Sequence, residues 1–435
     1  MSPTKPLIYA ELLSNIRQIS VIVALDVPCG PSTKAELSAD GQQFILQHDG
    51  DITLLNLPGQ AVTSFQLQKP ILGNKELSWR IPVAGQATRA SLEDAQSNAA
   101  PWSAKELSED AELACRDCGA VIVKRGAIKE WRDLPSENWA EMMEFWHCHK
   151  PDLPAEEANS SSGQADHVHP EQAATSKGYG ATSKFTARAG IGFVDLTTFL
   201  LASTDCTNLK IAESTDQVPA LVLCNNCNRN IGRDDSASCG RRLLKWCVTL
   251  SSSSLFSTTT EPCTKVSYPS TFFICSQALA LTQAQCVSRL ILSSELSRCS
   301  STPSTYGVLP ESLHATPDTA SYPGQMPRSH FSTWSTSTTA LLIWFISPCI
   351  RYACTRSSTS LLASHLAAKV FWKVITSSEA KALLDGESAE EIVLPDGAVV
   401  EIGGNLRDSA LCLPPSARKF REWDVGLMER YQPDR

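Results

Sequence analysis

The 435-residue sequence has no long apolar run. The longest apolar stretch, Leu341 to Ile346, stops before Pro348 and is far shorter than the roughly 20 residues that a membrane-spanning helix needs. Glu11 and Arg17 precede any apolar stretch near the start, which argues against a secretory signal peptide. We therefore expect a protein without a membrane segment that resides in the cytoplasm, and a nuclear location stays open.

The chain also lacks an excess of positive charge. Its 38 lysines and arginines face 46 acidic residues, which gives a net charge of −8, and charged residues make up only 19% of the sequence. Because binding to phosphate backbones requires clustered cations, we predict no direct contact with nucleic acid. The 42% hydrophobic content is typical of a globular chain, and the length suffices for two to three domains.

Cysteine, in contrast, is abundant, with 16 residues. In an intracellular protein thiols stay reduced, so closely paired cysteines favour metal binding over disulfides. Two C-x-x-C pairs, Cys115 with Cys118 and Cys224 with Cys227, each follow a strand-like run and precede turn residues, which is typical of a zinc knuckle. We predict one structural zinc bound by these four thiolates. A redox C-x-x-C and incidental pairs remain the alternatives.

A third group of possible ligands, His147-Cys148-His149, closes a predicted helix that starts near Glu137. The surrounding stretch is rich in tryptophan, and the residues concerned are Trp131, Trp139 and Trp146. The simplest interpretation is a small core around the metal. Alternatively, Cys148 or His149 is a metal ligand, or Cys148 is a nucleophile whose pKa the flanking imidazoles lower.

Composition divides the chain into consecutive parts. These are an N-terminal β-domain over 6–95, a zinc-binding core over 111–248 with a polar insertion at 153–185, a Ser/Thr-rich segment over 249–340, and a C-terminal α/β part over 341–432. We interpret the stretch 84–110 as an exposed linker. The Ser/Thr-rich segment is either a disordered insertion or the product of a mistranslated exon, and no functional residue is assigned to it.

The expected fold class is α+β, with a strand-rich N-terminal β-domain, a zinc-stapled β-rich centre and an α/β C-terminal part. Short apolar runs separated by turns predict an antiparallel sheet or sandwich within residues 7–95. For the C-terminal part we predict a strand and turn over 341–354, a helix over 363–375, a hairpin over 391–402 and an amphipathic helix over 413–431.

Several motifs occur in a fixed order along the chain. They are Tyr9-Ala10-Glu11-Leu12-Leu13, Cys115-x-x-Cys118, Leu134-Pro135-Ser136-x-Asn138-Trp139, Trp146-x-Cys148-His149, Cys224-x-x-Cys227, Gly240-Arg241-Arg242-Leu243-x-Lys245-Trp246 and Leu413-Pro414-Pro415-x-x-Arg418. Taken together, this order resembles the HECT-like ubiquitin-conjugating-enzyme-binding proteins, a family of ubiquitin ligases with a HECT-like domain.

The resemblance implies a ubiquitin-protein ligase that binds a ubiquitin-conjugating enzyme, handles ubiquitin and promotes its transfer to substrate proteins. A thiol relay would need a nucleophile, and Cys148 is the candidate catalytic residue. The residues expected to contact partners are Trp131, Pro135, Trp139, Trp146, His149, Lys245 and Trp246. The resemblance leaves a second function open, that of a non-enzymatic partner or chaperone of the metal-dependent endonuclease in messenger-RNA 3′-end processing.

Overall fold

The computed structural model describes residues 5–85, 98–134, 185–212, 220–252, 265–294, 339–356 and 364–432. Strands predominate in these ranges and three α-helices accompany them, which confirms the predicted α+β class. Contacts divide the chain into two units, the first formed by residues 1–97 and 286–432 and the second by residues 98–285. Several predicted part boundaries lie outside the described residues, and the four-part division stays a prediction.

The strands, in chain order, are β1 (Leu7–Leu13), β2 (Gln18–Ala24), β3 (Lys34–Leu37), β4 (Gln43–His48), β5 (Asp51–Asn56), β6 (Glu76–Pro82), β7 (Glu112–Cys115), β8 (Val121–Val123), β9 (Glu130–Asp133), β10 (Ile191–Val194), β11 (Thr198–Ala202), β12 (Leu209–Ile211), β13 (Leu221–Cys224), β14 (Asn230–Asp235), β15 (Gly240–Leu244), β16 (Val248–Ser251), β17 (Lys265–Val266), β18 (Arg289–Ser294), β19 (Thr339–Cys354), β20 (His365–Thr376), β21 (Glu390–Leu394), β22 (Lys419–Phe420) and β23 (Trp423–Glu429). The helices are α1 (Ser270–Ala284), α2 (Ser377–Asp385) and α3 (Asp396–Ser409). None of the helices in the described ranges is long and apolar enough to cross a membrane.

A nine-stranded sheet organises the first unit, in the order β22-β23-β20-β19-β1-β2-β6, with β18 paired to β19 and β21 paired to β18. The long strand β19 pairs with β20 along one edge and shares its other edge between β18 and β1. Its register shifts between Phe345 and Ile350, around Pro348, which lacks an N–H group for the ladder. The predicted strand and turn over 341–354 is therefore one strand with an irregular middle.

Three predictions for the C-terminal part are wrong. Residues 363–375 contain strand β20 instead of a helix, because β-branched and aromatic side chains favour a strand. Both faces of β20 are largely buried, so its sequence lacks the alternation of polar and apolar residues that indicates a strand. Residues 391–402 form β21 and the start of α3 instead of a hairpin; Pro395 directly precedes the helix, where its missing N–H costs no helical hydrogen bond. Residues 413–431 form a short 3-10 turn, β22 and β23 instead of an amphipathic helix.

The predicted antiparallel strands near the N-terminus are confirmed at β2, β4, β5 and β6, whereas the apolar run at 62–68 forms no strand. Strands β3, β4 and β5 make a separate three-stranded sheet. The core of this region includes Phe44 and Trp79, whose ring centroids lie 5.3 Å apart. Buried and more exposed side chains alternate along β4 and along β6, and this alternation makes both strands predictable from the sequence.

The second unit contains a seven-stranded sheet, β12-β13-β14-β15-β11-β10-β9, and a four-stranded sheet, β17-β16-β7-β8. Trp102, within the stretch predicted as an exposed linker, is 3% exposed and packs near Phe199 and Phe273. Residues 265–294 of the Ser/Thr-rich segment form β17, α1 and β18, and Phe273 of α1 is fully buried. Two sulfur-bearing turns lie at the ends of β7 and β13.

Candidate metal centre

The same turn occurs twice in the second unit. Cys115 is the last residue of β7 and Cys224 is the last residue of β13. In both turns the N–H group four residues later donates to the cysteine carbonyl at 2.9 Å, from Gly119 in one case and Asn228 in the other. Gly119 and Asn228 have φ angles of 72° and 61°, and glycine and asparagine are the residues that best tolerate this left-handed conformation. The two hairpins therefore present their thiols in equivalent ways.

The four thiols predicted as ligands meet in space. All four Sγ atoms lie within 4.8 Å of one another, with 3.7 Å between Cys115 and Cys227 and 3.5 Å between Cys118 and Cys224. A tetrahedral ion with metal–sulfur bonds of about 2.3 Å would separate its sulfurs by about 3.8 Å, whereas a disulfide requires about 2.05 Å. The donor set therefore fits one metal ion, and four sulfurs leave no open position for a substrate.

The thiols differ in their readiness to ionise. Burial raises the pKa of the Cys115 thiol to about 12. Hydrogen bonds from the Asn226 side chain and the Ala120 N–H group lower the pKa of the Cys118 thiol to about 6. Because metal ligands bind as thiolates, loading this set releases protons, and its metal affinity increases with pH.

Charged residues inside the turns join them to each other and to the neighbouring chain. The Arg229 guanidinium lies 2.6 Å from the Asp117 carboxylate, and this partly exposed ion pair connects the two turns. Arg116 donates through its guanidinium to the carbonyls of Trp246 at 3.1 Å and Tyr268 at 3.2 Å. Sequence reasoning missed these contacts, although Arg116 and Asp117 within the first C-x-x-C loop and Arg229 just after the second were a visible signal.

Lys245 and Trp246, expected to contact partners, are 1% and 6% exposed. The Lys245 ammonium donates to the carbonyls of Pro101 at 3.0 Å and Trp102 at 3.1 Å, and burial lowers its pKa to about 7. Trp131 is half-buried, and its indole N–H donates to the Ser108 carbonyl. In the described structure these contacts tie segments of the second unit together, and a role in partner binding stays a prediction.

The remaining predicted site residues lie outside the described residues. They are Pro135, Trp139, Trp146, Cys148 and His149, together with the predicted helix that starts near Glu137 and the adjacent His147. The proposed nucleophile and most of the predicted docking segment therefore stay predictions.

A family model described as HECT-like ubiquitin-conjugating enzyme (E2)-binding matches residues 11–425. An uncharacterized protein of Saccharomyces cerevisiae is 27% identical over 153 residues, 33% of this chain and 41% of that protein. An uncharacterized protein of Schizosaccharomyces pombe is 38% identical over 53 residues, 11% of this chain and 15% of that protein. The chain thus spans less than half the length of these curated relatives, and no solved structure matches it. Since the family model covers nearly the whole sequence, the chain belongs to the HECT-like ubiquitin-conjugating enzyme (E2)-binding family.

Proposed function

We propose that this protein is a ubiquitin-protein ligase that binds a charged ubiquitin-conjugating enzyme and promotes transfer of ubiquitin to substrate proteins. The family match over residues 11–425 carries this proposal. The family description supplies binding of the conjugating enzyme, and the transfer of ubiquitin is the step that we add.

The four-cysteine centre supports this activity as a structural element, and we infer that its ion is zinc. Cys118 and Cys224 are 106 residues apart in the chain, so a shared ion would hold two distant hairpins together. A closed set of four thiolates supplies no activated water and no substrate position. The chemistry of transfer therefore belongs to side chains elsewhere.

Transfer through this protein would use a cysteine thiolate, for which Cys148 is our candidate. The thiolate attacks the carbonyl carbon of the ubiquitin thioester, the cysteine of the conjugating enzyme leaves as its thiolate, and a new thioester forms. A lysine amine of the substrate then attacks the carbonyl carbon of that thioester and loses a proton, the Cys148 thiolate leaves, and an isopeptide bond forms. A ligase that only positions the charged enzyme would accelerate the last reaction without the first.

The decisive experiment mixes the full chain with a conjugating enzyme charged with ubiquitin. A relay predicts a ubiquitin adduct that thiol reductants remove, present in the wild type and in the control Cys239→Ala, and absent in Cys148→Ala; Cys239 is an exposed cysteine outside the metal set. Faster discharge to free lysine without an adduct indicates positioning alone. If the chain neither forms an adduct nor accelerates discharge, the ligase proposal is wrong.

The same variants examine the alternative function as an endonuclease-binding partner. On that hypothesis Cys148→Ala abolishes co-purification of the 3′-end-processing endonuclease, and ubiquitin discharge is unaffected by the protein. Retention of the endonuclease by Cys148→Ala would remove the role predicted for Cys148 in that complex.

A further inference from the structure

Aromatic and cationic side chains line up across one face of the nine-stranded sheet of the first unit. We call them the aromatic–cation row, which consists of Arg289, Trp344, Phe371, Lys373, Phe420 and Arg421. These residues come from β18, β19, β20 and β22 and from the turn after β22. The strands concerned, with β23 between β20 and β22, are adjacent in the sheet, so the row is about 19 Å long at the usual strand spacing.

The rings of the row contact one another in sequence. The Trp344 and Phe371 centroids lie 5.8 Å apart in an edge-to-face arrangement, and Phe420 stacks on Phe371 at 4.9 Å. Arg289 lies over the Trp344 ring at 5.0 Å, and Arg421 lies over the Phe420 ring at 5.5 Å. Each end of the row is therefore an aromatic ring that carries a guanidinium.

Apolar clusters lie at both ends of the row. Ala380 and Leu383 of α2 belong to the apolar cluster at one end, and Leu413 belongs to the cluster at the other end. Between them Phe420 is 46% exposed, and Trp344 and Phe371 are half-buried. Phe420 is the exposed end of this aromatic cluster, and an exposed ring that belongs to a cluster marks a binding surface more often than an isolated apolar side chain does.

The guanidinium groups of the row are available for carboxylates. In the part of the chain that the structure describes, no carboxylate oxygen lies within 4.0 Å of Arg289, Lys373 or Arg421. The ion pair of Lys419 with Asp424 lies on the opposite face, because their neighbours Phe420 and Trp423 face the row. The Lys373 ammonium instead lies 4.8 Å from the centroid of the buried Trp423 ring. The Glu379 carboxylate lies close enough to Lys373 for their charges to interact, which leaves the guanidinium groups of Arg289 and Arg421 as the charges complementary to an acidic segment.

We propose that the aromatic–cation row is a docking surface for an acidic segment of another protein that also carries an aromatic or branched apolar side chain. Carboxylates of that segment pair with the guanidinium N–H groups that face away from the rings, and the apolar side chain packs against Phe420 and Trp344. Stacked nucleobases fit less well, because a base needs a free ring face, and Phe420 already has Phe371 and Arg421 against it.

The test measures binding of a fluorescent peptide of about six residues, the extended length that spans the row, with glutamates flanking a central phenylalanine. The full chain should bind it, and the version with glutamines in place of the glutamates should bind at least about tenfold more weakly. Phe420→Ala and Arg421→Glu should each weaken binding at least about tenfold. The matched control Ile71→Ala removes a similarly exposed apolar side chain of the same unit and should leave binding unchanged.

The proposal is independent of ubiquitin transfer, because the readout contains neither ubiquitin nor a conjugating enzyme. Thermal unfolding of each variant shows whether weaker binding results from the altered surface or from unfolding of the protein. Because Phe420 and Arg421 are both exposed, the unfolding midpoints of the variants should match that of the wild type. Three results would overturn it: no binding of the acidic peptide, equal binding by Phe420→Ala and Arg421→Glu, or displacement of the peptide by a single-stranded RNA of similar length.

Discussion

The two units differ in how distant segments are joined within each unit. In the first, the long strand β19 pairs with β1, which lies far earlier in the sequence, and the buried apolar side chains form several clusters. The second has strands of at most six residues, and its two cysteine turns come from distant parts of the sequence. The second unit also has fully buried apolar side chains, among them Phe199, Leu200 and Phe273, and we infer that a metal ion bound by the four thiols would add to the stability that this packing supplies.

Removal of one thiol is expected to have the largest effect and tests whether the metal stabilises the second unit alone. Cys224→Ser should lose the metal and destabilise the second unit by several kcal/mol, out of an apparent binding free energy of about 10–16 kcal/mol for structural zinc sites. Hydrogen exchange should accelerate in β13 and β14 and stay slow in β1 and β2. The control Cys239→Ser, at an exposed cysteine, should keep both metal and protection; equal loosening of β1 and β2 would contradict separate means of stabilisation.

A packing change in the first unit should destabilise that unit and leave the metal of the second unit in place. A Cβ atom at Gly426 of β23 would lie 2.8 Å from Leu406 Cδ2 and 3.2 Å from the Trp372 ring, so Gly426→Ala should lower the free energy of unfolding by about 1–3 kcal/mol. The metal content should not change. Denaturant unfolding and metal analysis of the same sample check both statements, and Gly397→Ala is the control because no atom lies within 4 Å of its Cβ position.

The buried Lys245 should make the second unit more stable as the pH rises above about 7. Its pKa of about 7 lies below the ordinary lysine value, so above that pH the unfolded chain holds a proton that the folded chain has released. The free energy of unfolding should therefore increase as pH rises from about 7 toward the ordinary lysine range, by at most about 1.4 kcal/mol per pH unit. Lys245→Met should remove this contribution and the exposed Lys129→Met should not; identical pH profiles for the two variants would contradict the assignment.

The smallest effect is expected at the ion pair between the turns. Asp117→Asn removes the carboxylate that Arg229 contacts, and a partly exposed pair of this kind contributes about 0–1 kcal/mol. Metal should be retained, and the rate of metal transfer to a chelator should increase modestly. Complete metal loss in Asp117→Asn would mean that the pair, rather than the thiols alone, is required for the centre.

The features that the sequence predicted correctly are those determined by residues close to one another in the chain. Both C-x-x-C turns follow strands and are closed by Gly119 and Asn228, so the residue types alone specified the geometry. The sequence predicts helices at β20 and β23 because the apolar residues of these strands lie on both faces of a covered sheet and show no alternation. The contacts of Arg116 and Lys245 join residues far apart in sequence, and no local pattern encodes them.

X-ray absorption at the zinc edge of the purified full chain tests the central claim most directly, namely that two distant thiol pairs hold one ion. Our account predicts about one zinc per chain with four sulfur ligands at about 2.3 Å, and loss of the metal in Cys115→Ser as well as in Cys224→Ser. A spectrum with only two sulfur ligands, or zinc that survives both substitutions, would contradict it.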